Sequence, residues 1–323
     1  MAWLRLIRWQ NLLIIFFTQF IAWRFVVLPE QEGPVNTREF FSGATNFFLV
    51  SLSTVFIAAA GYIINDYFDI RIDEINHPEK VVLGKIIPGR LAIVLHMALN
   101  FSGLFLAAIV ASKARHYEWL LLQVTCITLL WFYSTDFKRQ YLIGNLVVSL
   151  LAALTVIALL IYEPALQPVS STLFPNGLSG YGLSPVQVWV LVIYAYFAFM
   201  LTWIREIVKD MEDLKGDEEE GCMTMPIKFG LQFSNRFIQI LSALVVLPLS
   251  IASMVLLKHH FIILSLYLLV LLIAPIIAWA LFLVRNFTGS HYHRASSFLK
   301  IIMLLGIFSL FIYHFQFSIN SVR

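Results

Sequence analysis

Apolar residues run along this chain in stretches of about twenty, the length a helix needs to cross a hydrocarbon core, separated by short polar segments. Nine stretches fit that length: 9–28, 44–65, 91–112, 117–135, 141–162, 187–206, 236–257, 261–284 and 297–317. Each predicts a membrane-crossing helix. The expected fold is therefore all-α, a polytopic bundle of about nine transmembrane helices. The segment 164–186 is rich in breakers, with Pro164, Pro168, Pro175, Gly177, Gly180, Gly182 and Pro185, and predicts an extramembrane loop. It divides one membrane domain into two pseudo-repeat halves, about 1–163 and 187–323. Arg5 and Arg8 before the first apolar stretch resemble the start of a signal peptide. No small-residue cleavage site follows, so a retained first helix is expected.

Composition strengthens this picture. Of 323 residues, 60% are hydrophobic and 13% charged, against about 25% charged in soluble domains. The mean hydropathy is +0.83. A net charge of +3 without a basic stripe argues against a nucleic-acid partner. Cys126 and Cys222 are too far apart to suggest a disulfide framework or a zinc site.

Loop charge sets an orientation, because Lys and Arg accumulate on the cytoplasmic side. With the N-terminus inside, that side holds Arg5, Arg8, Arg71, Lys80, Lys85, Arg90, Lys138, Arg139, Lys209, Lys215, Lys228, Arg236, Arg285, Arg294 and Lys300. The other side holds Arg24, Arg38, Lys113, Arg115, Lys258 and Arg323. The bias predicts N-in and C-out, in a cell membrane, with the loops after the second, fourth and sixth helices on the cytoplasmic face.

Those loops carry the chemistry. The second stretch ends in Asn65-Asp66-x-x-Asp69-x-x-x-Asp73. At about 100° per residue, these four side chains share an arc of about 100° on a helix. The sixth runs into Glu206, Asp210, Asp213 and Asp217, which a continuing helix would place within about 60° of one another; Gly216 challenges that geometry near its end. Like charges at such spacing repel, and a helix carboxyl end disfavours aspartate. A divalent cation relieves both effects. Oxygen-only ligands suit Mg²⁺, which binds one or two carboxylates together with phosphate oxygens. Carboxylates gripping Mg²⁺ and a diphosphate, beside an apolar pocket, point to ionisation of an allylic diphosphate.

At these residues the sequence resembles the UbiA superfamily of intramembrane prenyltransferases. The first motif is similar to that family's first signature. Asp213-x-x-x-Asp217 with Gly221, Thr224 and Pro226-x-x-x-Gly230 looks like its second. Tyr133-Ser134-x-x-Phe137-Lys138-Arg139 with Gly144-Asn145 and Ser149, and Arg8-x-x-Asn11, also match. The resemblance implies that Asn65, Asp69, Asp73, Asp213 and Asp217 hold Mg²⁺ and diphosphate, with Asp66 and Asp210 in support. It implies phosphate contacts for Lys138 and Arg139, and for Arg71 or Lys209. Many members follow the first motif with Arg-Pro-x-Pro-x-Gly. Here His77-Pro78-Glu79-Lys80 opens the loop and the second proline is lost. Arg205-Glu206-x-x-Lys209-Asp210-x-Glu212-Asp213-x-x-Gly216-Asp217 looks most like the branch that transfers a geranylgeranyl group from its diphosphate to geranylgeranylglyceryl phosphate. An aromatic quinone precursor is the other acceptor class. A transporter of cations or phosphorylated lipids is the non-enzymatic alternative, although transporters place polar groups near the bilayer midplane.

Remaining polar residues read as follows. His291-Tyr292-His293 predicts a polar loop, and His77 a polar loop position. Asn11 and Asn145 lie within helices, where interhelical hydrogen bonding and contact with the substrate head are both open. A few of the 28 phenylalanines are expected to line the carbocation pocket by ring-face attraction.

Overall fold

Backbone polar groups have no water to bond in hydrocarbon, so the apolar stretches must close their own hydrogen bonds as helices. The computed structural model describes residues 2–28, 37–76, 78–79, 81–166, 183–285 and 289–321, and these are helical almost throughout. Eight helices among them are long and apolar enough to cross a membrane. The remaining predicted stretch, 117–135, forms a 3₁₀ turn, Tyr117–Trp119, and a shorter helix, Leu120–Thr135; together they rise by about 30 Å. His77, Lys80 and most of the predicted 164–186 loop lie outside the described residues. Pro164 is not in a loop but within a short helix, Glu163–Leu166.

Contacts divide the chain into two units interleaved in sequence. The first comprises residues 1–73, 77–135 and 153–195, the second 74–76, 136–152 and 196–323.

In the first unit, α1 (Ala2–Leu6) precedes α2 (Trp9–Ala22), α3 (Thr37–Phe68) and the start of α4 (Ile70–Asn76). Then come α5 (Gly89–Ala114) and α6 (Leu120–Thr135). It also takes in the end of α7 (Ile143–Ile161), α8 (Glu163–Leu166) and the start of α9 (Pro185–Glu212). Small residues set how closely the helices approach. A Cβ on Gly103 would lie 2.8 Å from Ile57 Cγ1 and 3.0 Å from the Ser53 carbonyl; one on Gly61 would lie 2.6 Å from Leu130 Cδ2. Trp23, in the π-helical turn Trp23–Val27 that follows α2, stacks on Phe47 of α3 at 4.4 Å between ring centroids. Ser184 and Gln187 form a reciprocal cap at the start of α9, with Pro185 as its first residue.

The second unit holds the rest of α7 and α9, then α10 (Leu214–Glu219), α11 (Met225–Lys258), α12 (Ile262–Tyr267), α13 (Ala274–Arg285) and α14 (Gly289–Ser321). Its core includes Ile204, Ile207, Ile238, Val245, Ile276, Leu283 and Leu299. Prolines shape two of its helices. Pro248 has no N–H for the Leu244 carbonyl four residues back, and the Tyr196 hydroxyl donates to that carbonyl at 2.9 Å. Pro275 follows a π-helical stretch, Leu268–Ile273, the widening expected where a proline ring crowds the preceding turn.

The Gly103 contact yields a stability test. Gly103→Val overpacks α5 against α3 and is expected to destabilise the protein by about 1–3 kcal/mol. The measurement is thermal unfolding in detergent; an unchanged midpoint would show that this contact does not limit packing.

Candidate active site

Both aspartate motifs have the same local geometry. In each, a long apolar helix stops at a central aspartate, and a short helix starts immediately after it. The first break is at Asp69, between α3 and α4, and the second at Asp213, between α9 and α10. The helical hydrogen-bond spacing carries across both. Asp69 N donates to the Asn65 carbonyl at 3.0 Å and Asp73 N to the Asp69 carbonyl at 2.8 Å. Correspondingly, Asp213 N donates to Lys209 O at 2.8 Å and Asp217 N to Asp213 O at 3.1 Å. The one-turn spacing expected from sequence is therefore kept, although neither helix is continuous. Gly216 lies within α10 and does not break it.

In the first unit, Asn65 Nδ2 donates to Asp69 Oδ2 at 2.6 Å, which fixes that carboxylate. Asn65 and Asp69 are both buried. Arg8 sits in the left-handed region at φ 50° between α1 and α2. Its Nη2 reaches Asp66 Oδ1 at 2.6 Å, and its guanidinium lies over the Tyr62 ring. Burial works against the Arg8 charge, but Asp66, Tyr62 and Asp69 more than offset it and hold the guanidinium above its ordinary pKa. Asp66, Asp73, Ile70, Val81, Val82 and Leu83 line a recess. The loop that lacks the second proline folds into a tight turn at Gly84, φ 80°, with Val82, Leu83 and Ile87 buried against Leu6 and Ile63. Arg71 is exposed on α4 and Asn11 half-buried on α2.

In the second unit, Asn145 on α7 donates to Asp210 Oδ2 at 2.8 Å. Of the two roles open for Asn145, the hydrogen bond between helices is formed. Glu206 accepts from Arg205 at 2.8 Å and from Lys209 at 3.2 Å. Rather than simply joining the aspartate arc, it anchors two cations. Lys138 and Arg139 lie in a 3₁₀ turn, Phe137–Arg139. A Cβ on Gly144 would lie 2.8 Å from the Phe137 carbonyl and 2.9 Å from Lys138 Cα, so only glycine lets α7 start so close. The Arg139 carbonyl accepts from Met223 N at 2.9 Å, bringing the turn beside the segment after the second motif. Gly221 and Gly230 of that segment have φ of 72° and 83°, which accounts for two of its glycines. His291-Tyr292-His293 is not a loop; it lies in the first two turns of α14. His293 Nδ1 contacts Glu212 Oε1 at 2.8 Å and Tyr292 is buried.

Three contacts escaped the sequence. Arg8 was recognised as a motif residue but not as the partner of Asp66. Glu206 was placed on the aspartate arc but not as the anchor of Arg205 and Lys209. Asn76 was not singled out, yet its side chain bonds the Asp213 carbonyl and the Gly216 amide. No sequence spacing signals the first and third, because their partners are 58 and 137 residues away.

The donor set fits Mg²⁺. It consists of carboxylate and amide oxygens, and Asn65 Oδ1 is buried with no hydrogen-bond partner among the described residues. Among those residues, no three His, Cys, Asp or Glu side chains form a ready-made cage. Mg²⁺ seldom uses one; it takes one or two carboxylates and completes its shell with water and phosphate.

Fold and motifs together describe a polytopic membrane enzyme of prenyl transfer. The UbiA prenyltransferase family matches residues 35–304, and the chain belongs to that family. Digeranylgeranylglyceryl phosphate synthase of Methanosphaera stadtmanae is 33% identical over 262 residues, covering 79% of this chain and 83% of that one. The protein of the same name from Methanothermobacter thermautotrophicus is 29% identical over 271 residues, 82% and 84% of the two chains. A solved structure of digeranylgeranylglyceryl phosphate synthase in membranes is similar at a TM-score of 0.62 and 25% identity, covering 98% of both chains. A UbiA homolog from Archaeoglobus fulgidus, solved bound to GPP and Mg²⁺, shares the fold at a TM-score of 0.58 and 16% identity, covering 96% of this chain and 99% of that one.

Asp69→Ala and Asp213→Ala are each expected to lower prenyl transfer by at least about 100-fold, with unchanged yield and elution from gel filtration. Full activity of either variant in a radiolabelled transfer assay would remove the aspartates from the mechanism.

Proposed function

We propose that this prenyltransferase moves a geranylgeranyl group from its diphosphate to geranylgeranylglyceryl phosphate, using Mg²⁺ held at the aspartate motifs. The observation that carries the proposal is the repeated break at Asp69 and Asp213, each with a second aspartate one turn on, in a chain of this family. The acceptor is supported by relatives that carry the name digeranylgeranylglyceryl phosphate synthase.

The allylic C–O bond of the donor breaks, and its electron pair leaves with the diphosphate. The acceptor hydroxyl oxygen forms the new C–O bond and gives up its proton. Bound Mg²⁺ would supply charge neutralisation to the departing diphosphate. Asn65, Asp69, Asp73, Asp213 and Asp217 are the residues to hold it, supported by Asp66 and Asp210. Lys138, Arg139, Arg71, Lys209 and Asn11 bind the diphosphate; Glu206 holds Lys209 in place for that task. The apolar helices keep water from the allylic cation. The proposal extends to sidedness: the distribution of Lys and Arg supports a cytoplasmic N-terminus and site in the cell membrane.

The test is reconstitution in proteoliposomes with labelled geranylgeranyl diphosphate and three acceptors: geranylgeranylglyceryl phosphate, 4-hydroxybenzoate and dihydroxynaphthoate. A labelled ether lipid with stoichiometric diphosphate is expected from the first alone, and EDTA should abolish it. A prenylated aromatic product alone would overturn the acceptor. Full activity in EDTA would overturn the role of the metal.

A further inference from the structure

We propose that Asn76 is a positioning residue of the second aspartate motif. It caps α10 in place of Asp213, so that the Asp213 carboxylate is kept off the backbone for the metal–diphosphate end of the substrate. The proposal rests on the metal role given above to Asp213.

The first amides of a helix lack intrahelical partners. A side chain at the position before the helix usually accepts one of them, and aspartate is among the best residues for it. Asp213 occupies that position for α10, yet its side chain makes no capping hydrogen bond. The amide it would ordinarily take is that of Gly216, the third residue of α10. That amide donates instead to Asn76 Oδ1 at 2.9 Å. The same side chain donates through Nδ2 to the Asp213 carbonyl at 3.0 Å. One amide group thus supplies the cap and holds the backbone of the residue it relieves. Asn76 belongs to the same unit as α10, through the segment 74–76.

Gly216 provides a second observation. It is buried, and a Cβ there would lie 2.5 Å from Asn76 Nδ2, 2.7 Å from its Cγ and 2.8 Å from its Oδ1. Its φ lies outside the positive range that favours glycine. Steric room for Asn76 is therefore what glycine supplies at this position. Asn76 and Gly216 are a matched pair, which a purely local cap would not require.

The experiment measures Mn²⁺ binding by electron paramagnetic resonance on the full-length protein in detergent, alongside the kcat and KM for donor. Asn76→Ala lets the Asp213 carboxylate fall back onto the Gly216 amide. It is expected to weaken Mn²⁺ binding at least five-fold and to raise the metal concentration for half-maximal turnover. In an Asp213→Ala background the same change should have no further effect on Mn²⁺ binding, because Asn76 acts through Asp213. If Asn76→Ala does not fold, Gly216→Ala disturbs the contact from the other side and should shift binding in the same direction. A lowered unfolding temperature with wild-type Mn²⁺ binding, or effects that add in the double variant, would overturn the proposal. No Mn²⁺ binding by the wild-type chain would overturn it together with the metal role. Ether-lipid formation with an unaffected Asn76→Ala variant would overturn Asn76 alone; the expected Mn²⁺ pattern without ether-lipid product would support Asn76 and overturn only the acceptor.

Discussion

A carboxylate at the end of an apolar helix is disfavoured by the negative end of the helix dipole and by every carboxylate one turn away. This chain accepts that penalty twice, at Asp69 and at Asp213. Much of the surrounding structure serves to make it tolerable. Each long helix breaks at its aspartate, and a short helix resumes at the same spacing, so the next aspartate stays one turn on. Around each break stand side chains that fix a carboxylate or take over its backbone duties: Asn65 and Arg8 at the first, Asn145 and Asn76 at the second.

What was legible in the sequence follows from this division. Apolar runs and one-turn spacing are local properties, and local backbone bonding preserved them. The helices and the placement of both motifs at helix ends were therefore readable. Other features depend on contacts between distant segments. Arg8 reaches Asp66 only because the chain turns through the left-handed region before α2. His293 looked like part of a polar loop, but pairing with Glu212 accompanies a helix that starts earlier than its apolar run. The stretch 117–135 looked like one span, and its first turn is 3₁₀. Apolar composition gives no signal for that difference.

The glycines divide in the same way. Gly221 and Gly230 are needed for backbone angles. Gly103, Gly144 and Gly216 are needed because another group occupies the space of a Cβ. A glycine in a sequence cannot be assigned to either class before its neighbours are known. Gly216 first reads as a helix breaker, yet it sits inside a helix and marks the approach of Asn76.

The chemistry of the supporting groups suggests why so many are asparagines. A lysine or arginine beside a carboxylate fixes its position but also cancels its charge, and competes with a divalent cation for it. An amide donates a hydrogen bond without adding a charge of its own. Asn65 toward Asp69 and Asn145 toward Asp210 are of this kind, and Asn76 acts on Asp213 through the backbone alone. Asp66 is different, because Arg8 neutralises it directly. The aspartates thus differ in these partners, an amide at Asp69 and Asp210 and a guanidinium at Asp66, a distinction that the spacing of the motif does not carry.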